Sequence, residues 1–551
     1  MSGFPLCDRI RDLACALRSG HPPPTGGAVV NWAAAWIHSI PGCFCQPKGL
    51  TPQPGRIHIS SCLHFVANRA LLPCPELTPQ REEEEVPWKK CKKFLVVNAT
   101  CTEPKIDEYK KFLKNGGNSS GWRLSQEALR RSSDKRFLLP SQLFYSEHVL
   151  QIHKTPDGVN SLGNFQIYLL LCLCLGFLIV YFTLWKGARG WGKAILVTII
   201  FPYIVLFIFL IRGLTLPGFQ NGLKYFFTPK WKSLATSEIW REAATQIFFS
   251  LGTGFGALVA FSSYNDFHDN FYRSAIIGAV INFLTSILSG IVVFALIGYM
   301  AEILGEDIAN VIKIDGPGLI FEVYPTALAT MQGSTLWSLI FFLMLICLGI
   351  NSLLGIFEAL ITALLDAYPG CFREKRKLLT LGVISFCFLG SVPTVTYGGL
   401  YMVKYLDEYG MSYSILVMVV FQTMVVCWIY GINRFCEDIQ KMLNLAPNWY
   451  FRFSWIIVAP FSIMVAFVAS ALQWEPLILN TYQKQYVYPE WSVGFGWLIR
   501  ISSILCVPLY AIIRIFFEKG TFKERFYSAL KPVQDKESAK QDNDLINQNN
   551  P

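Results

Sequence analysis

Apolar residues in this chain gather into long runs separated by polar joints. Nine such runs can be marked: Phe165–Leu184, Ala194–Ile211, Ile239–Tyr264, Ala275–Met300, Trp337–Leu365, Leu378–Val395, Ser414–Tyr430, Phe453–Leu472 and Val493–Phe517. A helix needs about 20 apolar residues to cross a bilayer, and longer runs suit tilted helices. Hydrocarbon offers no partners to backbone N–H and C=O groups, so runs of this kind predict helices rather than loops or open sheets. The expected fold class is an all-α polytopic membrane protein with a core over residues 165–517. Before it, residues 1–85 are rich in Pro, Cys and small residues and predict a divergent, disordered segment. Its best apolar stretch, from Gly27 to Cys45, is interrupted by Asn31, His38 and Pro41, which argues against a span. Residues 86–164 read as a polar loop, and residues 518–551 as a polar tail without structure.

Charge orients the runs. Lys186, Arg189 and Lys193 crowd one joint; Arg373, Lys375, Arg376 and Lys377 crowd another an even number of runs later; Lys519, Lys523 and Arg525 follow the last run. The excess of Lys and Arg in cytoplasmic loops puts all three clusters inside. The loop before the first run then lies outside, and that loop carries two N-glycosylation sequons, at Asn98 and Asn118, beside Cys91 and Cys101. Composition agrees: 52% of residues are hydrophobic and only 16% charged, where soluble domains carry roughly 25%. The net charge of +10 therefore marks topology, and no nucleic-acid partner is expected. Cys172, Cys174, Cys347, Cys387, Cys427 and Cys506 lie inside the runs as packing residues, and no cysteine spacing suggests a zinc site.

Polar residues inside the runs carry the chemistry. The third run holds Gly252, Gly254 and Gly256, and three glycines in five residues weaken a helix. Opened backbone at membrane depth should line a cavity, where freed carbonyls suit cations. Close helix packing through small residues is the other reading, and the residues alone leave both standing. The fourth run holds Asn282, Thr285, Ser286 and Ser289, with Asn282 and Ser286 four apart on one face. An amide oxygen and a hydroxyl suit a hard cation, although interhelical hydrogen bonding explains such a pair equally well. The fifth run repeats the theme at Leu348, Gly349, Asn351 and Ser352. Three oxygen-rich clusters in successive runs favour a solute pathway. Glu358 lies deep in the fifth run, where a charge costs roughly 2.5–3.5 kcal/mol on insertion scales and is usually functional. Asp366, Asp407 and Glu408 sit nearer run ends, where water can reach them.

The chain resembles the sodium:neurotransmitter symporters, solute carrier family six, from about Val86 to Phe517. The resemblance is carried by Pro87–Cys91 with Cys101, Glu147–Ile152, Phe201–Tyr203, Gly213–Gly218, Gln246–Gly256, Ala260–Asn265, Gly316–Leu319, Trp428–Gly431 and Tyr488–Trp491. It implies an inverted-repeat, broken-helix fold and a secondary transporter that symports an amino acid or related amine with sodium and chloride across the plasma membrane. By position, Ser250, Asn282, Leu348, Asn351 and Ser352 resemble sodium ligands. Gln246, Ser250, Asn282 and Ser286 resemble the chloride site. Phe249, Ser250, Gly252, Phe255 and Ser352 would face substrate. Asp407 resembles the acid of the outer gate, Asp366 that of the inner gate, and Tyr264 an inner-gate partner. The resemblance also implies a Cys91–Cys101 disulfide. No organic cofactor and no enzymatic chemistry are expected; the partners are a small solute, the two ions and the bilayer.

Two departures shape the expectation. Asn351 stands where animal members commonly have Asp. The family's Gly-Asn-Val-Trp-Arg-Phe-Pro motif, which supplies ion ligands and the outer-gate arginine, has no counterpart before Val86, so the reading is of nine spans out of twelve. The alternative is accordingly a non-transporting truncated form, held in internal membranes or joined in an oligomer to full-length relatives, and the 551 residues as written are expected not to transport. Leu353 and Ile356, apolar beside Ser352, tilt the substrate towards an amino acid.

Overall fold

The computed structural model describes residues 86–530 apart from 90, 92–98, 102–105, 132–135, 156, 186, 255, 313–318, 411, 473–476, 481–484 and 519. Some side chains inside described helices and strands, that of Phe249 among them, are also outside the description. Residues 1–85 and 531–551, Asn98 and Phe255, for which the sequence raises expectations, lie outside the described residues.

Among the described residues each of the nine runs forms helix, the third in two pieces. The outer loop opens with α1 (Ile106–Lys114) and α2 (Ser119–Arg131), followed by α3 (Ile167–Leu184), α4 (Ala188–Gly213) and the short α5 (Phe219–Phe227). The third run is α6 (Ser237–Leu251) and α7 (Ala257–Ser262); the fourth and fifth are α8 (Phe271–Leu304) and α9 (Ser334–Ala367). Then come α10 (Arg376–Ser391), α11 (Gly399–Gly410), α12 (Ser412–Met424), α13 (Ile432–Leu443), α14 (Ala459–Leu472), α15 (Glu490–Phe517) and α16 (Phe522–Leu530). Among the described residues, seven helical segments are long and apolar enough to cross a membrane, and Thr198–Gly213 is a shorter apolar one. The broken third run makes the ninth. The chain is a multi-pass membrane protein.

Two boundaries differ from expectation. Helix begins at Gly399, well before Ser414, so Asp407 and Glu408 sit within α11 instead of ahead of a span. The tail expected to lack structure starts with α16, because the Thr521 N–H is taken by the Glu524 carboxylate at 2.9 Å, half of a capping box.

Small residues set the tightest crossing. A Cβ at Gly222 of α5 would stand 1.9 Å from the Phe294 carbonyl of α8, and one at Gly298 would stand 2.7 Å from Gly222 N. Only glycine lets these backbones meet. The largest core lies in the outer half of the bundle, where Val292–Ile303 of α8, Phe341 and Phe342 of α9 and Phe209 of α4 pack with Trp88, Phe144 and Tyr145 of the outer loop. A second core joins α3, α9 and α10 nearer the inside, through Val180, Leu184, Phe357, Ile361 and Ile384. Two small sheets lie in the outer loops, Ala99–Cys101 parallel to Arg136–Leu138 and Ile478–Asn480 antiparallel to Gln485–Val487.

The outer loop is tied to the bundle through Glu302 near the end of α8, whose side chain is 1% exposed. Tyr109 donates to its Oε1 at 2.9 Å, Arg123 to its Oε2 at 3.0 Å, and the Trp122 indole reaches the Ile303 carbonyl at 3.2 Å. Asn118 caps α2 by accepting from Gly121 N at 2.8 Å, and remains exposed as a glycosylation acceptor must. Burial, then the hydrogen bond to Glu302, pushes the Tyr109 phenol up to about 12. A folded pKa above the unfolded one stabilises the protonated form, so this contact is intact below the ordinary tyrosine value of about 10. It weakens as pH rises through about 12. In Tyr109→Phe the loss should be about 1.5–3 kcal/mol at neutral pH, the range for a hydrogen bond to a charged group. The difference from the parent should shrink between pH 10 and 12 in thermal melts. An unchanged difference across that window would show that Tyr109 does not hold the loop.

Candidate functional site

The third run breaks where its glycines predict. Gly252, Gly254 and Gly256 have φ of +68°, +85° and +76°, left-handed backbone that L side chains rarely adopt. This separates α6 from α7 within the membrane. The freed Phe248 carbonyl is partly satisfied by Thr253, whose N–H and hydroxyl reach it at 3.2 and 3.1 Å. Of the two readings the sequence left open, the opened helix is the one realised. Close packing contributes as well, since a Cβ at Gly254 would lie 2.8 Å from Val419 Cγ2 of α12.

Beside the break, Ser250 in the last turn of α6 donates to Asn282 Oδ1 of α8 at 2.7 Å. Ser286 donates to the Asn282 carbonyl at 2.9 Å. Gln246 lies one turn before Ser250 on α6, at the spacing that shares a face, and is half-buried. The polar residues of the third and fourth runs are thus brought together as one constellation of hydroxyl and amide oxygens.

The fifth-run residues form a second group. Ser352 donates to the Leu348 carbonyl at 3.2 Å, which places a main-chain and a side-chain oxygen on one face of α9. The amide oxygen of Asn351 accepts from Thr198 of α4 at 2.6 Å. The sequence reading missed Thr198, whose signal was a lone hydroxyl inside an apolar run. Tyr203 of α4 similarly meets Thr285 of α8 at 3.1 Å.

Nearer the inner end, Glu358 is fully buried, and both of its oxygens accept from Arg376 Nη2, at 2.7 and 2.8 Å. Tyr264, just past α7, donates to Glu358 Oε1 at 2.8 Å and lies 2.8 Å from the Thr362 hydroxyl. This cluster links the broken run to α9 and α10. In the sequence Arg376 reads only as a topological charge; the signal that finds it is that an acid as deep as Glu358 requires a partner. Asp366 is exposed at the end of α9, away from the acid that Tyr264 meets. Asp407 is half-buried on α11. Cys91 is disulfide-bonded, and Cys101 lies in the first strand with its side chain outside the description.

The arrangement sets neutral oxygens, of the kind that suit small cations, beside a gap in a helix. The sequence model of the sodium:neurotransmitter symporter family matches residues 80–518. The chain is 44% identical over 394 residues to a sodium-dependent serotonin transporter of Drosophila melanogaster, an alignment covering 71% of this chain and 62% of that protein. It is 39% identical over 402 residues to a sodium- and chloride-dependent glycine transporter 2 of Xenopus laevis, covering 73% of this chain and 50% of that protein. The chain thus spans between half and two thirds of the length of these curated relatives.

Proposed function

The chain belongs to the sodium:neurotransmitter symporter family, and from that premise we propose that it forms the ion-binding and gating part of a plasma-membrane symporter for an amino acid or related amine, coupled to sodium and chloride. The observation that carries this reading is the left-handed break at Gly252–Gly256 directly beside the Ser250–Asn282 hydrogen bond. A mid-membrane gap in a helix exposes carbonyls and helix ends that only a polar cavity can satisfy, and the neighbouring oxygens are those a dehydrated cation takes. The names of both relatives carry sodium dependence, and that of one carries chloride.

In this reading Ser250, Asn282, Leu348, Asn351 and Ser352 hold sodium, and Gln246, Ser250, Asn282 and Ser286 hold chloride. Phe249, Ser250, Gly252, Phe255 and Ser352 line the substrate space. Asp407 borders the outer pathway, and Tyr264 with Asp366 borders the inner one. Ions favour the state in which α6 and α7 hold their present angle, and release follows when the Tyr264–Glu358–Arg376 contacts part. A ligand can bias the two states only by binding them unequally, so the coupling resides in the oxygens that this angle brings together.

The test is uptake of amino acids and monoamines by cells expressing the protein from its native transcript, with sodium or chloride replaced in turn. The 551 residues expressed alone are expected to give no uptake, and the full coding sequence of the transcript a saturable component that disappears on either replacement; ion-independent or absent uptake of every candidate in the second case would overturn the reading. Within the site, Ser250→Ala removes one ligand oxygen and one hydrogen bond of about 1 kcal/mol. The half-saturating sodium concentration should rise about five- to tenfold. Unaltered sodium and chloride dependence in this variant would remove Ser250 from both ion sites.

A further inference from the structure

Arg500 lies ten residues into α15, about 15 Å from the outer end of that helix. Its side chain is 2% exposed. A guanidinium at this depth is expensive and marks function by default. It donates to the Glu408 carbonyl at 2.9 Å and to Glu408 Oε1 at 3.2 Å, and it lies 4.6 Å from the Tyr409 ring centroid and 5.1 Å from that of Trp497. The Glu408 carbonyl belongs to the last turn of α11, where carbonyls lack helical partners and a cation is favourable.

The surrounding contacts share one face of α15. Ser492 accepts through its carbonyl from Tyr405 at 2.6 Å, Gly496 leaves a slot in which an added Cβ would stand 2.4 Å from Tyr409 Cδ1, and Ser503 meets Ser414 at 2.7 Å. Residues 492, 496, 500 and 503 follow the helical repeat. The last helix of the bundle therefore grips both sides of the α11–α12 joint, and Arg500 is the one cation in that seam among the described contacts. Glu408 is held facing α15. Asp407, the next residue, is rotated by about 100° and so turned to the adjoining face.

We propose that Arg500 is a positioning residue for the outer pathway: by clamping Glu408 and Tyr409 it fixes the end of α11 and with it the placement of Asp407. The proposal rests on the reading of Asp407 as a wall of that pathway.

The experiment is labelling of Asp407→Cys on intact cells by a membrane-impermeant methanethiosulfonate, with the parent chain as background and surface biotinylation to normalise for delivery. Arg500→Met should raise the labelling rate about tenfold. Glu408→Gln should act in the same direction, and the two together should give no more than the larger single effect. The exchange Glu408→Arg with Arg500→Glu restores an ion pair and should return the rate towards that of the parent, a rescue that packing alone would not give. Should Arg500→Met fail to reach the surface, Arg500→Lys and the exchange decide, with intermediate and near-parent rates expected. Labelling that proceeds equally in all these backgrounds, or additive single effects, overturns the clamp while leaving Asp407 in the pathway. No labelling of Asp407→Cys in any background overturns the pathway reading, and the clamp with it.

Discussion

Glu358→Ala is expected to destabilise the protein by about 3–5 kcal/mol, the largest single-residue effect outside the glycine break. Glu358 is fully buried and accepts two hydrogen bonds from Arg376 and one from Tyr264. Its removal leaves a guanidinium that is 23% exposed without its carboxylate, and opens a cavity between α9 and α10. Burying both charges costs about as much as their attraction returns, so most of the expected loss is the penalty of the abandoned partner. The double variant Glu358→Leu with Arg376→Met should therefore melt closer to the parent than either single variant. Tyr264→Phe, which leaves the ion pair in place, should cost less than Glu358→Ala, about 1.5–3 kcal/mol for one hydrogen bond to a charged group. Thermal melts of the detergent-purified protein decide. A Glu358→Ala protein within 1 kcal/mol of the parent, or a double variant worse than both singles, would show that the cluster is not a coupled unit.

Features set by local interactions are legible in the chain, and those set by distant pairings are not. Run lengths placed eight of the nine spans within about six residues of their helices, the seventh being the exception, because crossing hydrocarbon is a property of each run taken separately. The glycines at 252, 254 and 256 were legible as a weak point for the same reason, although choosing between an opened helix and close packing required the φ values. The pairings were not legible. That Ser250 meets Asn282 of α8 was implied by the family resemblance alone, and that Asn351 meets Thr198 of α4 was not foreseen; both depend on how helices far apart in sequence are rotated, and no spacing encodes that. Glu358 announced itself by depth, yet its partner was hidden among four cations that the topology rule had already explained. Arg500 stood near the middle of an apolar run and drew no notice, because its compensation comes from a carbonyl and a carboxylate on another span. The α11 boundary was misjudged because Lys404, Asp407 and Glu408 lower the local hydropathy of a segment that Tyr401, Tyr405 and Tyr409 bury on its other side.

Gly254→Ala should lose both stability and ion response. At φ +85° an alanine in left-handed backbone costs about 1–2 kcal/mol. Its Cβ would also stand 2.8 Å from Val419 Cγ2, and overpacking of a buried contact adds typically 1–3 kcal/mol. The two terms can be separated. Val419→Ala in the same protein relieves the steric part and leaves the backbone part, so the double variant should recover some stability but not all of it. What matters for function is the remaining strain, because a chain that avoids left-handed backbone at residue 254 straightens the break and moves Ser250 away from Asn282. Ligand that binds only the native arrangement raises stability by RT ln(1 + [L]/Kd), so the parent should gain about 1.4 kcal/mol or more when sodium is raised to tenfold its dissociation constant. In Gly254→Ala that gain should be absent, and Val419→Ala should not bring it back. Recovery of the full sodium-dependent shift in the double variant would mean that the opened backbone at Gly254 serves packing against α12, and that the ion site does not depend on it.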